Sequence, residues 1–572
     1  MWEYIRKQRV QITLLLILTL LSSLSNILFI YIIQNIVDAL TNSNERYFKI
    51  LIVYFMFFLV FNYLVGYFST VQEAKILKNI HVELKGDLFR SLLNQKYSDF
   101  IKTTIGEKMN FFENDLEMID QYYFKNLFIF SQSLFLLTFS LIYLLSINFL
   151  LGFILIISTA IILIIPVILS NSIDIVSDNY SKNRGNFLTQ LKDFFSGIDV
   201  IKSYKIESII SKNFDQELKM NEGNLYNLKK KIGQYNSIMA TGHYIIIILC
   251  FVIGGMWTLK GGVTLGQLMA VIQVMNIVIQ PMSNIGSSVM EIKGVDKIRT
   301  RLEHIILKCN YNVDKTDSLK MIKFNEIKCE NLNYEVKGSN FKLKNISIKI
   351  EANKKYALIG SSGSGKTTLL KMLARYIEPT IGQIYIDNNL YEEFDDNLAN
   401  LISYVSQDTF IFKDSLKNNI TLYQDYNEDS LDMALDKAVL TDILNNESEG
   451  IETICNESGI NFSGGEKQRI SIARSILRNA PILLMDEITS ALDATTSKKI
   501  ENNLLKLKDK TIVFVTHKIE KNFLESMDCI FCMSGGEIIE SGDFKTLIQA
   551  DGYLSKLYNS NYGTILEEES NG

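Results

Sequence analysis

Residues Tyr356 to Leu370 read YALIGSSGSGKTTLL, and the chain is organised outward from them. Ala357, Leu358 and Ile359 form a short apolar run of the kind that makes a buried strand. It breaks into a loop of Gly and Ser, and Thr367 to Leu373 then suits a helix. Because Gly360, Gly363 and Gly365 lack a Cβ, the successive N–H groups of Gly360, Ser361, Ser362, Gly363, Ser364 and Gly365 can close around phosphate oxygens. The helix that begins near Lys366 points its positive end at the same place. Lys366 would reach the outer phosphates, the Thr367 hydroxyl would ligate Mg2+, and Thr368 follows in the same turn. The expectation is a nucleoside triphosphate site.

The length, 572 residues, exceeds one domain, and a 47% hydrophobic share with a mean hydropathy of +0.12 is high for a soluble protein of that size. The excess must be concentrated somewhere. A net charge of −5 fits neither a polybasic nucleic-acid binder nor an acidic tail protein, so no nucleic-acid partner is expected. The six cysteines (Cys250, Cys309, Cys329, Cys455, Cys529 and Cys532) lie far apart, which fits a reducing cytosol better than a disulfide framework. Cys529 and Cys532 form a C-x-x-C, but within the strand-like run DCIFCM an i, i+3 pair faces opposite sides, so metal or redox chemistry is not expected.

The apolar excess lies in the first half. Arg6, Lys7 and Arg9 precede a hydrophobic run that is too long for a signal peptide and lacks a small-residue cleavage site, so it reads as a retained membrane helix. No charged side chain occurs from Gln11 to Gln34, or again from Ile50 to Gln72. A charge-free run of 48 residues, Asn126 to Ile173, is long enough for two crossings, which Ser146, Ile147 and Asn148 divide. Two more spans lie near Ile232 to Leu259 and Val263 to Met290, making six. The loop between spans two and three holds Lys75, Lys78, Lys85, Arg90, Lys96, Lys102 and Lys108, and that between spans four and five is equally basic. The alternate loops hold only Arg46, Lys49 and Lys260. Basic loops stay in the cytoplasm, so both termini are expected inside, and the amphipathic loop sequences should continue the membrane helices into the cytosol. His243 is the one acidic or basic side chain inside a span; it is either a functional group or a neutral ring bonded to a neighbouring helix. Pro166 and Pro281 should bend spans four and six. Asn62, Gln132, Gln273, Asn276 and Gln280 are better placed to line a cavity than to face lipid.

From Glu291 to Lys320 the text is charged and irregular, and from Ile322 it alternates as a soluble α/β domain does, ending in the acidic Glu567, Glu568 and Glu569. Ile482 to Glu487, ILLMDE, reads as a buried strand that delivers two carboxylates at its end. Asp486 can hold Mg2+, and Glu487 can polarise an attacking water. Phe462 to Arg469 reads FSGGEKQR, where Ser463, Gly464 and Gly465 open a helix and form a second anion-binding amide cluster.

Together these residues resemble a half-transporter of the ATP-binding cassette (ABC) exporter family over nearly the whole chain. The resemblance implies a membrane α-helical domain of six transmembrane helices with long cytoplasmic extensions, followed by a soluble α/β P-loop ABC ATPase domain. The implied boundaries are 1–300 for the transmembrane domain, 301–320 for a linker, 321–560 for the nucleotide-binding domain and 561–572 for an acidic tail. FSGGE matches the family's signature, which implies that Ser463, Gly464, Gly465 and Glu466 contact the nucleotide held by another subunit. Gln407, in YVSQD, matches the glutamine loop that links the metal site to the membrane domain. Glu457 and Gly459 resemble the exporter loop, Ser490 to Asp493 (SALD) match the D-loop that brings Asp493 to the nucleotide, and His517, in FVTHK, matches the switch histidine that contacts the outer phosphate. The sequence departs from the family pattern at Val336, where an aromatic usually stacks on adenine with Tyr334 nearby, at Phe462 for Leu and at Glu466 for Gln. Stretches 97–106 and 195–205 resemble the two coupling helices, the second crossing to the partner subunit.

The implied mechanism is ATP-driven export by alternating access. Two ATP molecules with Mg2+ would be buried between the Lys366 loop of one chain and the Ser463 signature of a second half-transporter, as a homodimer or heterodimer. Glu487, His517 and Gln407 would carry the chemistry. A span interior without fixed charges suits an amphipathic or hydrophobic drug, lipid or peptide, within membrane lipid, in a bacterial cytoplasmic membrane. An ATP-gated channel, a nucleotide sensor and an importer on the same scaffold are the alternatives.

Overall fold

The structure, a computed structural model, describes residues 1–308, 324–335, 342–394, 398–446 and 449–560; the side chains of 156, 159–174, 178, 181, 235, 239, 308, 392, 399 and 446 lie outside that description. The chain divides into two compact units, Met1–Gln95 with Thr103–Tyr311, and Lys96–Lys102 with Asn312–Gly572. Val336, most of the expected linker and the acidic tail fall outside the described residues.

The first unit is built on six long helices: α1 (Arg9–Thr41), α2 (Glu45–Leu93), α3 (Lys125–Ile147), α4 (Phe149–Ser196), α5 (Glu207–Leu249) and α6 (Leu265–Gly294). At a rise of 1.5 Å per residue the 49 residues of α2 extend about 70 Å, over twice the hydrocarbon thickness. The basic loops are therefore helical continuations of the spans. Among the described residues five helical stretches are long and apolar enough to cross a bilayer: Arg9–Thr41, Glu45–Leu93, Ile105–Ile147, Glu207–Leu259 and Leu265–Gly294. The expected fourth span falls in α4, largely on the residues whose side chains are not described, Pro166 among them.

Polar residues set the helix boundaries. Asn148 alone separates α3 from α4: its backbone is extended (φ −158°, ψ 116°) and its side chain accepts from Leu151 N at 3.1 Å. Thr264 and Gln267 form a capping box that opens α6, which carries Pro281 in its interior. Most hydroxyl and amide groups inside the spans bond to a carbonyl one turn back in their own helix, and a few bond across helices. Ser25 donates to Asn62 at 3.0 Å, Tyr143 donates to Gln34 at 2.5 Å, and Asn126 bridges Ser288 and Glu291. Asn62, expected at a cavity, is thus partnered by a neighbouring helix. His243 Nδ1 is buried without a hydrogen-bond partner among the described residues, so the expected bond to a neighbouring helix is not made at that atom.

The second unit holds ten strands: β1 (Glu326–Glu335), β2 (Lys342–Glu351), β3 (Lys355–Gly360), β4 (Ile381–Ile386), β5 (Asn389–Leu390), β6 (Ile402–Val405), β7 (Ile482–Asp486), β8 (Thr511–Val515), β9 (Cys529–Ser534) and β10 (Glu537–Gly542). They form an antiparallel sheet ordered β2-β1-β4-β5 and a larger one ordered β10-β9-β3-β8-β7-β6, parallel from β9 to β6. Residues of β3, β7 and β8 alternate between two apolar cores. Ile359, Met485 and Phe514 enter one, while Leu358, Leu484 and Val513 enter the other. Buried on both faces, these strands read as continuous hydrophobic runs. Cys532 and Cys529 likewise pack into opposite cores, as the strand reading expects. Short Tyr97–Phe100 belongs to this unit: the Tyr97 ring stacks on Tyr376 at 4.3 Å, and Lys96 pairs with Glu378 at 3.5 Å.

Candidate active site at the strand ends

In a parallel sheet, ligands collect beyond the carboxyl ends of the strands. Four sequence motifs arrive there together: β3 ends at Gly360, β7 at Asp486, β8 two residues before His517 and β6 two before Gln407. The loop after β3 turns through Gly363 (φ 78°) and Gly365 (φ 105°), conformations open to Gly at no steric cost, and leads into helix α7 (Lys366–Leu373). Lys366 is buried and donates to the carbonyls of Gly360 and Ser361 at 2.9 Å each; burial pushes its pKa down, against the pull of Glu487 and Asp486. Ser364 Oγ is buried with no hydrogen-bond partner, an orphan in a loop suited to an anion. Thr368 follows in the first turn of α7.

Asp486 is 1% exposed, and both of its carboxylate oxygens are used: Thr367 Oγ1 donates to Oδ1 at 3.0 Å and the Tyr404 hydroxyl to Oδ2 at 2.9 Å. Burial raises its pKa, and the two hydrogen bonds oppose that rise. This all-oxygen set of a hydroxyl and a carboxylate suits a hard cation such as Mg2+. Among the described residues no group of three or more His, Cys, Asp or Glu could hold a metal by itself, so a cation here would complete its shell with water or phosphate oxygens. Glu487 next door is bracketed. Gln407 Nε2 donates to Oε2 at 2.9 Å, and His517 Nε2 lies 2.9 Å from Oε1. Gln407 and His517, expected at the metal and the outer phosphate, thus both meet the carboxylate.

The signature residues are organised separately. Ser463 caps helix α8 (Gly464–Leu477); its Oγ accepts from Glu466 N at 3.3 Å, and Glu466 Oε2 accepts from Ser463 N at 2.8 Å. Glu466, expected against nucleotide, closes this capping box. A Cβ on Gly465 would lie 2.8 Å from the Ala491 carbonyl, so the helix start presses on the SALD loop, and Gln468 bonds both Ser490 and Ala491 there. Asp493 caps helix α9 (Ala494–Leu505) by accepting from Thr495 N and Thr496 N. No hydrogen bond among the described residues joins Ser463, Gly464 or Gly465 to the Lys366 cluster. Sequence reasoning missed Tyr404 and Arg474. The Arg474 guanidinium, its pKa brought down to about 10 by burial, donates to Phe410 O at 2.8 Å and to Asn419 O at 2.5 Å and so fixes the segment after Gln407.

Residues 12–282 match the ABC transporter transmembrane region, and residues 343–490 match the ABC transporter domain. The chain belongs to the ABC transporter family. The ATP-dependent lipid A-core flippase of Photobacterium profundum is 24% identical over 98% of this chain and 97% of the relative. The pediocin PA-1 transport/processing ATP-binding protein of Pediococcus acidilactici is 27% identical over 97% of this chain and 77% of its own length. A mesentericin-Y105 transport/processing ATP-binding protein from Leuconostoc mesenteroides is 29% identical over 67% of this chain, a match that spans 53% of the relative. The fold is shared with a bacterial Atm1-family ABC exporter solved with ATP bound, at a TM-score of 0.81 and 21% identity, covering 97% of this chain and 98% of the other. This ABC half-transporter is therefore an integral membrane protein with one nucleotide-binding ATPase domain coupled to one membrane domain.

Proposed function

We propose that the half-transporter uses ATP hydrolysis to export an amphipathic or hydrophobic molecule, a lipid or peptide by analogy with its relatives, from a bacterial cytoplasmic membrane. One observation carries the reading: the Glu487 carboxylate is bracketed by Gln407 and His517 beside the buried Thr367–Asp486 pair. In that arrangement Glu487 takes a proton from the attacking water as general base, Gln407 and His517 fix its orientation, and Lys366 meets the outer phosphates. Mg2+ held by Thr367 and Asp486 would offset phosphate charge. The separately built Ser463 cap supports a site completed by a second chain, identical or not, whose Lys366-type loop it would face. Closure of two such sites would draw the coupling helices together and reopen the membrane domain outward.

The cargo class rests on the first unit. An aromatic groove of about 410 Å3 on α1 and α2, lined by Leu28, Tyr31, Phe58 and Phe61, carries no charged side chain. The basic loops support a topology with both termini and the ATPase domain in the cytosol. Glu487→Gln should reduce ATP turnover by about 100-fold or more while leaving binding of a fluorescent ATP analogue within about twofold. Undiminished hydrolysis removes Glu487 from the role of base. ATP-dependent uptake of labelled lipid or peptide into inverted vesicles separates export from gating.

A further inference from the structure

Asp486 has a partner, Tyr404, that opens the YVSQD run but to which the motif assigns no role. Tyr404 lies in β6, beside β7 in parallel register with Leu484, so its side chain reaches along the sheet to the carboxylate two residues further on. Facing a carboxylate oxygen at 2.9 Å, its hydroxyl is the donor of the bond. The ring of Tyr404 meets Tyr376 edge to face, with centroids 5.3 Å apart at 84°, and Tyr376 in turn stacks on Tyr97 at 4.3 Å. Three aromatic rings thus run without a break from the short helix Tyr97–Phe100 to the carboxylate at the end of β7. A cavity of about 570 Å3 lies beside all three rings, so they are packed on one side and have room on the other. Because the rings touch, a tilt of Tyr97 displaces Tyr376 and through it Tyr404, and the cavity gives the rings room to move.

We infer that Tyr404 is a positioning residue for Asp486, and that the Tyr97–Tyr376–Tyr404 ladder makes the geometry of the metal-binding carboxylate depend on where the Tyr97 helix sits. This rests on the proposed reading of Asp486 as a metal ligand. The ladder is a route separate from Gln407, whose side chain is on Glu487. An unbroken row of contacts is only a candidate path, so the experiment has to measure coupling.

Full-length protein in lipid nanodiscs, with a non-hydrolysable ATP analogue, is titrated with Mn2+, and free Mn2+ is read by electron paramagnetic resonance. Tyr404→Phe removes one hydrogen bond to Asp486 and should weaken Mn2+ binding roughly three- to tenfold, with metal-free nucleotide affinity unchanged. Tyr97→Ala, far along the ladder, should weaken it in the same direction, and Tyr97→Phe, which keeps the ring, should stay within about twofold of the parent. The double variant Tyr97→Ala/Tyr404→Phe should resemble Tyr404→Phe alone, because both act through one bond. Unchanged Mn2+ affinity in either Tyr404→Phe or Tyr97→Ala, or effects that multiply in the double variant, overturns the ladder. If the parent protein binds no Mn2+ alongside nucleotide, or Asp486→Asn binds it as well as the parent, the metal reading and the ladder fall together.

Discussion

Glu487 adopts a left-handed backbone (φ 51°), a conformation that costs a non-glycine residue of order 1–2 kcal/mol. It is held there because its N–H donates to Val515 O at 3.1 Å and its two carboxylate oxygens face Gln407 and His517. Asp493 shows how an exposed carboxylate can matter at the same scale. Its pKa is lowered, chiefly by the Thr496 backbone N–H it accepts. A lowered carboxyl contributes stability that is present above the unfolded value, about 4, and is lost as the pH falls through the folded one. Asp493→Asn, which keeps an acceptor but no charge, should therefore melt below the parent at pH 7, and the gap should close as the pH is lowered past 4; a gap that does not change with pH contradicts this account. Lys366, Thr367, Asp486, Glu487, Gln407 and His517 were legible in the sequence because each sits in a short run with its own strand or loop signature. Tyr404 was not. Its partner is 82 residues away, and only the β6–β7 register brings the two together.

At the level of elements, the sequence shows where helices must exist better than how they meet. Uncharged stretches marked the spans, and the break at Asn148 could be anticipated, but the cap at Thr264, read as lying inside the last span, and the crossing of α1 with α6 could not. There Gly266 donates its N–H to Asp38 Oδ1 at 2.9 Å and Thr264 Oγ1 donates to Asp38 Oδ2 at 3.0 Å. A Cβ on Gly266 would collide with the Gln34 carbonyl, because the α1 and α6 backbones nearly touch. Gly266→Ala should thus force the helices apart and destabilise the first unit by about 1–3 kcal/mol, seen as a lower melting midpoint in detergent. An unchanged midpoint would mean that the crossing yields without strain. The separation of Cys529 from Cys532, by contrast, followed directly from strand periodicity, since i and i+3 point to opposite faces.

For the molecule as a whole, the proposed composite site has a measurable signature. ATPase activity per chain should rise with chain density in proteoliposomes and then level off, while a rate that stays constant down to about one chain per vesicle excludes a site shared between chains. The helix Ile198–Tyr204, proposed to reach the partner subunit, leaves Val200 57% and Tyr204 75% exposed. Placing charge there, as Val200→Asp/Tyr204→Asp, should cut ATP-driven transport by about tenfold or more and leave nucleotide binding within about twofold; full transport would argue against a docking role. The single-residue break at Asn148 also shapes how the protein meets its surroundings. In the proposed topology, with the basic loops inside, the described residues offer the exterior little beyond 42–44, Asn148 and 260–264. Under that topology an antibody, a phage or a secreted protease arriving from outside would find almost no foothold, and a surface label engineered into one of those three turns should be reached by an impermeant reagent.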